Sequence, residues 1–302
     1  MPEHLSNQKL RRFASIVALA VALVLVAVKV WAWLATGSIS LLTSAADGLV
    51  DVVASLVTFA GVRYAGRPVD RGHRYGHGKA EAVAAFVQAL LLAGAAVGLG
   101  IQSFTRLFVP QPLTEIGFGL WVIIASLVAT CGLVAMQTYV VKRTASTAIA
   151  ADRAHYVTDV TANIAVLVAL VFERFLAWNR ADAIGALAIS CYMLWNARGM
   201  ALHALIQLLD RELDTSDRER IRSAVLGCEG VQAVHDIRTR NGGDRVFVEF
   251  HLEVDGAMSV EKGHGIGDQA EDAVRSIFQA ADVVAHLEPA GIDDRRLDDL
   301  IK

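Results

Sequence analysis

Residues 44–53, SAADGLVDVV, place two carboxylates inside a long apolar run. Asp47 and Asp51 are four residues apart, so on a helix they lie on one face. An ionised Asp at the centre of a bilayer costs about 2.5–3.5 kcal/mol even on insertion scales. A chain that places two of them on one apolar helix therefore needs a species that neutralises them, and such residues indicate a functional site.

The apolar character extends well beyond this stretch. The chain has 302 residues, of which 54% are hydrophobic and 20% charged, and the charges are concentrated outside residues 13–209. A membrane-spanning helix needs about 20 mostly apolar residues. Six windows of the sequence meet this requirement, at 13–36, 39–65, 80–108, 116–141, 146–176 and 183–208. The sequence thus predicts an α-helical membrane protein whose transmembrane domain, residues 1–208, has six helices.

Basic residues are distributed asymmetrically between the predicted loops. They cluster before helix 1, after helix 2 and after helix 4, in a set made up of Lys9, Arg11, Arg12, Arg63, Arg67, Arg71, Arg74, Lys79, Lys142 and Arg143. The alternate loops at 36–38 and 107–115 carry no basic residue. The positive-inside rule then predicts a multi-pass membrane protein with both termini in the cytoplasm.

The last third of the chain is charged and is predicted to be soluble. We expect a helix at 215–228, a β-hairpin within 231–255 around the turn sequence NGGD, a helix at 259–280 and a strand at 282–289. This order suits a small α+β domain, residues 209–290, with both helices on one face of the sheet. A C-terminal tail, 291–302, follows. A domain of about 80 residues has a thin core, which favours a dimer.

A second pair of potential ligands repeats the spacing of the first. In AHYVTDV, His155 and Asp159 are also four residues apart, on predicted helix 5. Helices 2 and 5 run in opposite directions, so their packing would bring three carboxylates and one imidazole together as a transition-metal site. Lys29 is the one cation expected nearby, and we place it near the outer end of helix 1, where it can snorkel. Structural polar residues bonded across helices are the alternative.

Two further groups of potential ligands lie outside the predicted spans. The loop DRGHRYGHGKAE, residues 70–81, contains Asp70, His73 and His77, which form either a second metal site or a solvated basic loop. The soluble part contains a larger group, made up of His235, His251, His264, His286 and Glu288. With a three-residue loop at 242–244, position 235 faces 251 across the hairpin, and positions 286 and 288 share one face of the last strand. Ordinary surface or core histidines are the alternative.

The motifs SAADGLVDVVASL, HRYGHGKAE, ADRAHYVTDV and LLDREL together resemble the cation diffusion facilitator family, in particular its bacterial YiiP-like zinc/ferrous-iron efflux branch. The resemblance runs from about residue 13 to 290. It implies six transmembrane helices, a cytosolic ferredoxin-like domain, a homodimer in the lipid bilayer, and exchange of divalent metal ions for protons.

The resemblance also assigns residues. The family's transport site maps onto Asp47, Asp51, His155 and Asp159, and its loop site maps onto Asp70, His73 and His77. Its binuclear cytosolic site maps onto the soluble group with one departure, because Glu288 stands where the family pattern has Asp. Lys79 and Asp210 resemble the family's charge interlock. A transport site with one His resembles those of zinc carriers and implies Zn²⁺ as substrate, and the cytosolic site implies Zn²⁺ as a structural or regulatory ion. Cd²⁺ and Fe²⁺ fit the same ligands.

Three functions are compared on these features. A secondary transporter that exports Zn²⁺ from the cytoplasm in exchange for protons, by alternating access, accounts for the buried ligands. A membrane-anchored metal sensor is the alternative. An intramembrane metallohydrolase needs an open coordination position, which four protein ligands do not leave, so we expect no enzyme. The sequence has no nucleotide-binding motif for ATP, and a net charge of −3 gives no indication of nucleic-acid binding.

Overall fold

Six long helices precede a small mixed domain in this chain. The computed structural model describes residues 2–37, 39–108, 117–176, 181–278, 280–291 and 296–297. The long helices are α1 (Pro2–Thr36), α2 (Ile39–Ala65), α3 (Ala80–Phe108), α4 (Gly117–Thr144), α5 (Thr147–Leu176) and α6 (Ala181–Leu208). The later elements are α7 (Thr215–Leu226), β1 (Ala233–Asn241), β2 (Val246–Val254), α8 (Val260–Arg275) and β3 (Ala281–Pro289).

The chain divides into two compact units. The helical unit contains Met1–Arg67 and Ala80–Leu205, and the sheet unit contains Pro68–Lys79 and Ile206–Lys302. The segment between α2 and α3 therefore groups with the soluble part of the chain, whereas the sequence places it in a domain of residues 1–208. The predicted boundaries 1–208, 209–290 and 291–302 stay predictions.

The helices of the helical unit match the six predicted windows. Four stretches are long and apolar enough to cross a membrane within the described residues, at Ser6–Ala35, Ser44–Ala65, Ala80–Phe108 and Ile124–Thr144. Helix α1 begins well before residue 13. Its polar first turns are held by Gln8 Nε2 and Arg12 Nη2, which donate to the Gly66 carbonyl oxygen at the end of α2 over 2.6 and 3.0 Å. Hydropathy does not reveal this extension, because polar contacts stabilise it.

Small residues let these helices pack closely. Ala14, Ala18 and Ala22 follow one face of α1 and are at most 1% exposed. Between α2 and α3, a Cβ atom on Gly61 would lie only 2.5 Å from the Ala84 Cβ. Close backbone approach through small residues is the usual basis of helix association in a membrane, where apolar burial supplies little driving force.

The sheet unit is the predicted α+β layer. Its three strands are ordered β1-β2-β3, with β1 antiparallel and β3 parallel to β2. Val248, Phe250 and Leu252 alternate along β2 and are at most 1% exposed; they pack with Ile221 of α7 and Val274 of α8. The period-2 pattern of β2 therefore fixes which face of the sheet the helices cover, and leaves the other face for polar groups.

The hairpin has the expected pairing of His235 with His251, but its loop length and strand register differ from the prediction. Asn241 pairs with Val246, so the connection has four residues, and the prediction of a three-residue loop at 242–244 was wrong. The register then shifts between His235 and Arg238. Within this β-bulge, Asp236 adopts φ +50°, a left-handed conformation that an Asp tolerates better than most residues. The bulge restores the predicted pairing of His235 with His251.

Candidate metal centres

The first cluster, called here the membrane cluster, consists of Asp51 on α2 and His155 and Asp159 on α5. Potential ligand atoms of the three residues all lie within 4.8 Å of one another. His155 Nε2 is 3.1 Å from Asp51 Oδ1 and 3.7 Å from Asp159 Oδ2. The imidazole is buried, while the two carboxylates are 27% and 29% exposed. One nitrogen and two carboxylates at this spacing match the ligand chemistry of Zn²⁺.

Asp47 is not brought into the membrane cluster. It lies one turn before Asp51 on α2 and is exposed, outside the group whose ligand atoms converge. The spacing of four residues correctly places both carboxylates on neighbouring turns, but it does not fix how far each one reaches toward α5. The structure thus assembles three of the four predicted residues, and the place of Asp47 in the site stays a prediction.

Lys29 of α1 lies beside the same stretch of α2. Its Nζ atom is 3.6 Å from the position that a Cβ on Gly48 would occupy. The ammonium interacts electrostatically with both Asp47 and Asp159. The prediction that Lys29 can snorkel out of the helix end stays a prediction, and the structure places its ammonium beside the stretch of α2 that carries Asp47.

A buried carboxylate that sequence reasoning missed lies three residues before His155. Asp152 is 0% exposed. Its oxygens accept from Gln137 Nε2 of α4 at 2.6 Å and from Gln88 Nε2 of α3 at 3.2 Å. The same Gln88 amide also donates to Thr58 Oγ1 of α2 at 2.8 Å. This network connects four helices around the membrane cluster. Asp152 and His155 are three residues apart and so lie on one helix face. This spacing is the sequence feature that could have revealed Asp152.

A second hydrogen-bond network joins α1, the start of α3 and the connection that follows α4. Glu81, at the start of α3, accepts from Arg11 Nη1 at 3.0 Å and from Ser146 Oγ at 2.5 Å. Arg11 Nη2 donates to the Thr144 carbonyl oxygen at the end of α4. Glu81 is buried, so this charge is paired and hydrogen-bonded as burial requires.

The loop cluster, Asp70, His73 and His77, is assembled as predicted. Asp70 Oδ1 lies 3.2 Å from His73 Nδ1, and Asp70 Oδ2 lies 3.3 Å from His77 Nε2. The backbone N–H of His73 donates to the Asp70 carboxylate at 2.7 Å, and this hydrogen bond is the main cause that holds the pKa of Asp70 below its ordinary value. The carboxylate is therefore charged and available to a cation throughout the neutral range.

The loop cluster is attached to the turn between β1 and β2. A Cβ on Gly78 would lie 2.2 Å from the Gly242 carbonyl oxygen, so only glycine permits this approach. Tyr75 packs edge-on against Phe247, and its ring lies under the guanidinium of Arg240 at 4.7 Å. The loop and the hairpin therefore form one packed surface of the sheet unit.

The expected charge pair at the end of this loop is present within the chain. Lys79 Nζ is 2.8 Å from Asp210 Oδ1, and Arg240 Nη1 lies 3.5 Å from the other Asp210 oxygen. Sequence reasoning did not identify Arg240 as a further contact of Asp210.

The third cluster is a row of three histidines across the sheet, called here the histidine row. His235, His251 and His286 occupy matched positions on β1, β2 and β3. Neighbouring ring centroids are 5.1 and 4.8 Å apart. Glu288 lies beside all three rings, with an oxygen 2.6 Å from His251 Nδ1, 3.2 Å from His235 Nε2 and 3.5 Å from His286 Nε2. The longer Glu side chain therefore reaches every histidine of the row.

The buried member of the row fits a metal ion. Neither ring nitrogen of His235 makes a hydrogen bond of good geometry with the described residues, although Glu288 is close. An unsatisfied buried imidazole is costly, and coordination of a cation would satisfy it.

His264 is not part of the row. It is exposed on α8, where its Nε2 lies 3.6 Å from Asp268 of the following turn. Its predicted role as a ligand stays a prediction. Sequence reasoning also missed Glu253, whose oxygen lies 3.5 Å from His235 Nε2 and 2.6 Å from Arg296 Nη2.

A multi-pass helical membrane protein that carries metal-ligand clusters both among its helices and on a soluble α+β domain belongs to the class of membrane metal transporters. Comparison with known proteins identifies the family. Residues 15–209 match the cation efflux transmembrane domain, and residues 213–290 match the cytoplasmic domain of cation efflux proteins. The chain belongs to the cation efflux (cation diffusion facilitator) family, whose members are transporters with dimeric cytoplasmic domains.

The curated relatives cover nearly the whole chain. It is 40% identical over 282 residues to the cation-efflux pump FieF of Escherichia coli strain K12 / DH10B, covering 93% of this chain and 94% of the relative. The FieF of Escherichia coli strain SE11 gives the same values. Among solved structures, the zinc form of CzrB is 37% identical and covers 28% of this chain and 99% of its own, with a TM-score of 0.26.

Proposed function

We propose that this protein exports Zn²⁺ from the cytoplasm in exchange for protons. The observation that carries the proposal is the membrane cluster, in which Asp51, His155 and Asp159 from two helices bring their ligand atoms within 4.8 Å of one another. Asp47, one turn away on α2, is the proposed fourth ligand and would complete a tetrahedral shell. Cd²⁺ and Fe²⁺ are the other substrates that such ligands would accept.

The chemistry of the ligands supports exchange. Carboxylates and an imidazole must lose their protons to bind a metal ion, so binding releases protons and metal release allows the ligands to take them up again. Alternating access around a fixed site would then carry the metal in one direction and protons in the other. Lys29 and the neutral amides around Asp152 limit the cost of keeping several carboxylates close together when no metal is bound.

We propose that the histidine row is a zinc site with a structural or regulatory role in a homodimer. His235, His251, His286 and Glu288 would hold the ion, and zinc would supply a rigid link between the three strands. The loop cluster is the second candidate for such a role. Both termini are proposed to lie in the cytoplasm, on the side of an inner membrane to which the basic loops point.

The test is metal uptake into vesicles that contain the purified protein, with Zn²⁺, Cd²⁺, Fe²⁺ and Mn²⁺ compared. A transporter accumulates metal in the vesicle lumen, and we expect Zn²⁺ to be taken up faster than Mn²⁺. The alternative, a membrane-anchored metal sensor, binds metal at the histidine row without any accumulation.

A further inference from the structure

A groove lies between the first turns of α1 and the last turns of α4. Its volume is about 340 Å³. Six of the side chains that line it are Ser6, Asn7, Lys9, Phe13, Tyr139 and Arg143. Leu10 also lines the groove, and it packs against the buried apolar cluster that contains Ala14 of α1 and Val140 of α4. None of the three metal clusters contributes a residue to this groove.

The lining residues are arranged in two levels. Lys9 and Phe13 are four residues apart on α1, and Tyr139 and Arg143 are four residues apart on α4. The two helices are antiparallel in the predicted topology, so the two cations lie at the helix ends and the two aromatic rings lie about one turn, ~5.4 Å, further in. Phe13 and Tyr139 are 59% and 54% exposed, so their rings form an open apolar wall.

The two basic side chains of the groove have no acidic partner among the residues that the structure describes. Within the described part of the chain, neither Lys9 nor Arg143 forms an ion pair, and the Arg143 guanidinium rests over the Tyr139 ring at 5.4 Å. Their neighbour Arg11, by contrast, is paired with Glu81. The groove therefore combines free positive charge, two short polar side chains and an apolar wall, which suits an anionic amphiphile.

The groove lies at the edge of the membrane. The apolar stretch of α1 begins at Ser6, and that of α4 ends at Thr144. Basic pockets between membrane helices at this depth are suited to the headgroups of anionic lipids. We propose that the groove binds an anionic phospholipid, with its phosphate on Lys9 and Arg143, its headgroup hydroxyls near Ser6 and Asn7, and its acyl chains along Phe13 and Tyr139.

The test counts lipids bound to the full-length protein in detergent by native mass spectrometry, with phosphatidylglycerol and phosphatidylcholine of identical chains. We expect the wild-type protein to bind more phosphatidylglycerol than phosphatidylcholine. The double variant Lys9→Gln, Arg143→Gln should weaken it by about 30-fold, equivalent to ~2 kcal/mol for two basic residues. Lys142→Gln is the control for loss of a single charge, because it removes one positive charge directly beside Arg143 but outside the lining set, and it should bind like the wild type.

Two further measurements distinguish a bound phospholipid from free inorganic phosphate. Phe13→Ser should weaken phosphatidylglycerol without changing the charge, and excess inorganic phosphate should leave the lipid bound. Displacement by inorganic phosphate would assign the groove to the free anion and overturn the proposal. Equal loss in Lys142→Gln and in the double variant, or equal binding of phosphatidylcholine, would also overturn it.

Discussion

At the scale of single residues, His155 is the centre of the proposed transport site. Its Nε2 faces one carboxylate from its own helix and one from α2, and its Nδ1 has no hydrogen-bond partner among the described residues. A buried imidazole between two carboxylates is stabilised when a positive charge lies between these groups. Either a proton or a bound metal ion can supply that charge. The exchange of one for the other is the chemistry that the account requires.

Replacing Asp159 with Ala should abolish metal transport, because it removes one of the four proposed ligands and leaves the tetrahedral shell open. We expect at least a tenfold loss of Zn²⁺ uptake, or ~1.4 kcal/mol of binding, in vesicles. Thr158→Ala is the matched control: among the described residues, the Thr158 hydroxyl donates to the Ala154 carbonyl oxygen of its own helix and is not part of the membrane cluster. Uptake by Asp159→Ala within a factor of about two of the wild type would contradict the assignment.

Replacing His155 with Asp should change which metal is preferred. An oxygen ligand in place of a nitrogen favours Mn²⁺ or Fe²⁺ over Zn²⁺. Competition between Zn²⁺ and Mn²⁺ for uptake measures this directly. An unchanged competition ratio would show that His155 does not contact the transported ion.

At the scale of secondary-structure elements, the sequence predicts helix faces better than distances. Two i,i+4 pairs predicted that Asp47, Asp51, His155 and Asp159 converge if α2 and α5 pack together, and the structure brings three of the four together. The position of Asp47 outside the converging group depends on the rotation of α2 against its neighbours, which spacing does not encode. Asp152 was missed because its partners, Gln88 and Gln137, are neutral residues on other helices, and nothing in their spacing indicates the contact.

The hairpin also has features that the sequence does not determine. The sequence NGGD predicts a turn but not its length, and the bulge at Asp236 has no clear sequence signal. The pairing of His235 with His251 was predicted correctly because two errors of one residue, in the loop and in the ladder, offset each other. A register argument in a hairpin therefore needs the turn and the strands to be known together.

The attachment of the loop cluster to the hairpin turn depends on Gly78. Gly78→Ala would place a Cβ 2.2 Å from the Gly242 carbonyl oxygen, so one of the two segments must move. We expect amide hydrogen exchange in residues 68–79 and 242–245 to become faster by about tenfold or more, given that overpacking costs ~1–3 kcal/mol. In the matched control Gly72→Ala the nearest atom is 3.4 Å away, and exchange should be unchanged. Equal protection in both variants would disprove the attachment.

At the scale of the whole molecule, the clusters of potential metal ligands are divided between two units. The membrane cluster belongs to the helical unit, while the loop cluster and the histidine row belong to the sheet unit. Because the membrane cluster lies among the membrane helices, we propose that it carries transport and that the clusters of the sheet unit have a structural or regulatory role.

The double variant His251→Ala, His286→Ala should separate these two roles. It removes two of the three rings of the histidine row, so the full-length protein should lose zinc from the sheet unit and depend less on zinc for dimer formation. Zinc content and sedimentation with and without chelator measure both effects. Asp159→Ala is the matched control, since it should leave zinc-dependent dimer formation intact. A double variant that dimerises with zinc like the wild type would contradict the proposed role of the row.

The most direct test of the central claim is simultaneous measurement of zinc and proton movement. Purified protein is placed in vesicles that contain a pH-sensitive dye and a zinc-sensitive dye, and Zn²⁺ is added outside. The account predicts that the lumen gains zinc and becomes more alkaline at the same time, and that both signals disappear in Asp51→Ala. Zinc entry in the wild type without any change of lumen pH, or zinc entry that persists in Asp51→Ala, would contradict metal-for-proton exchange at the membrane cluster.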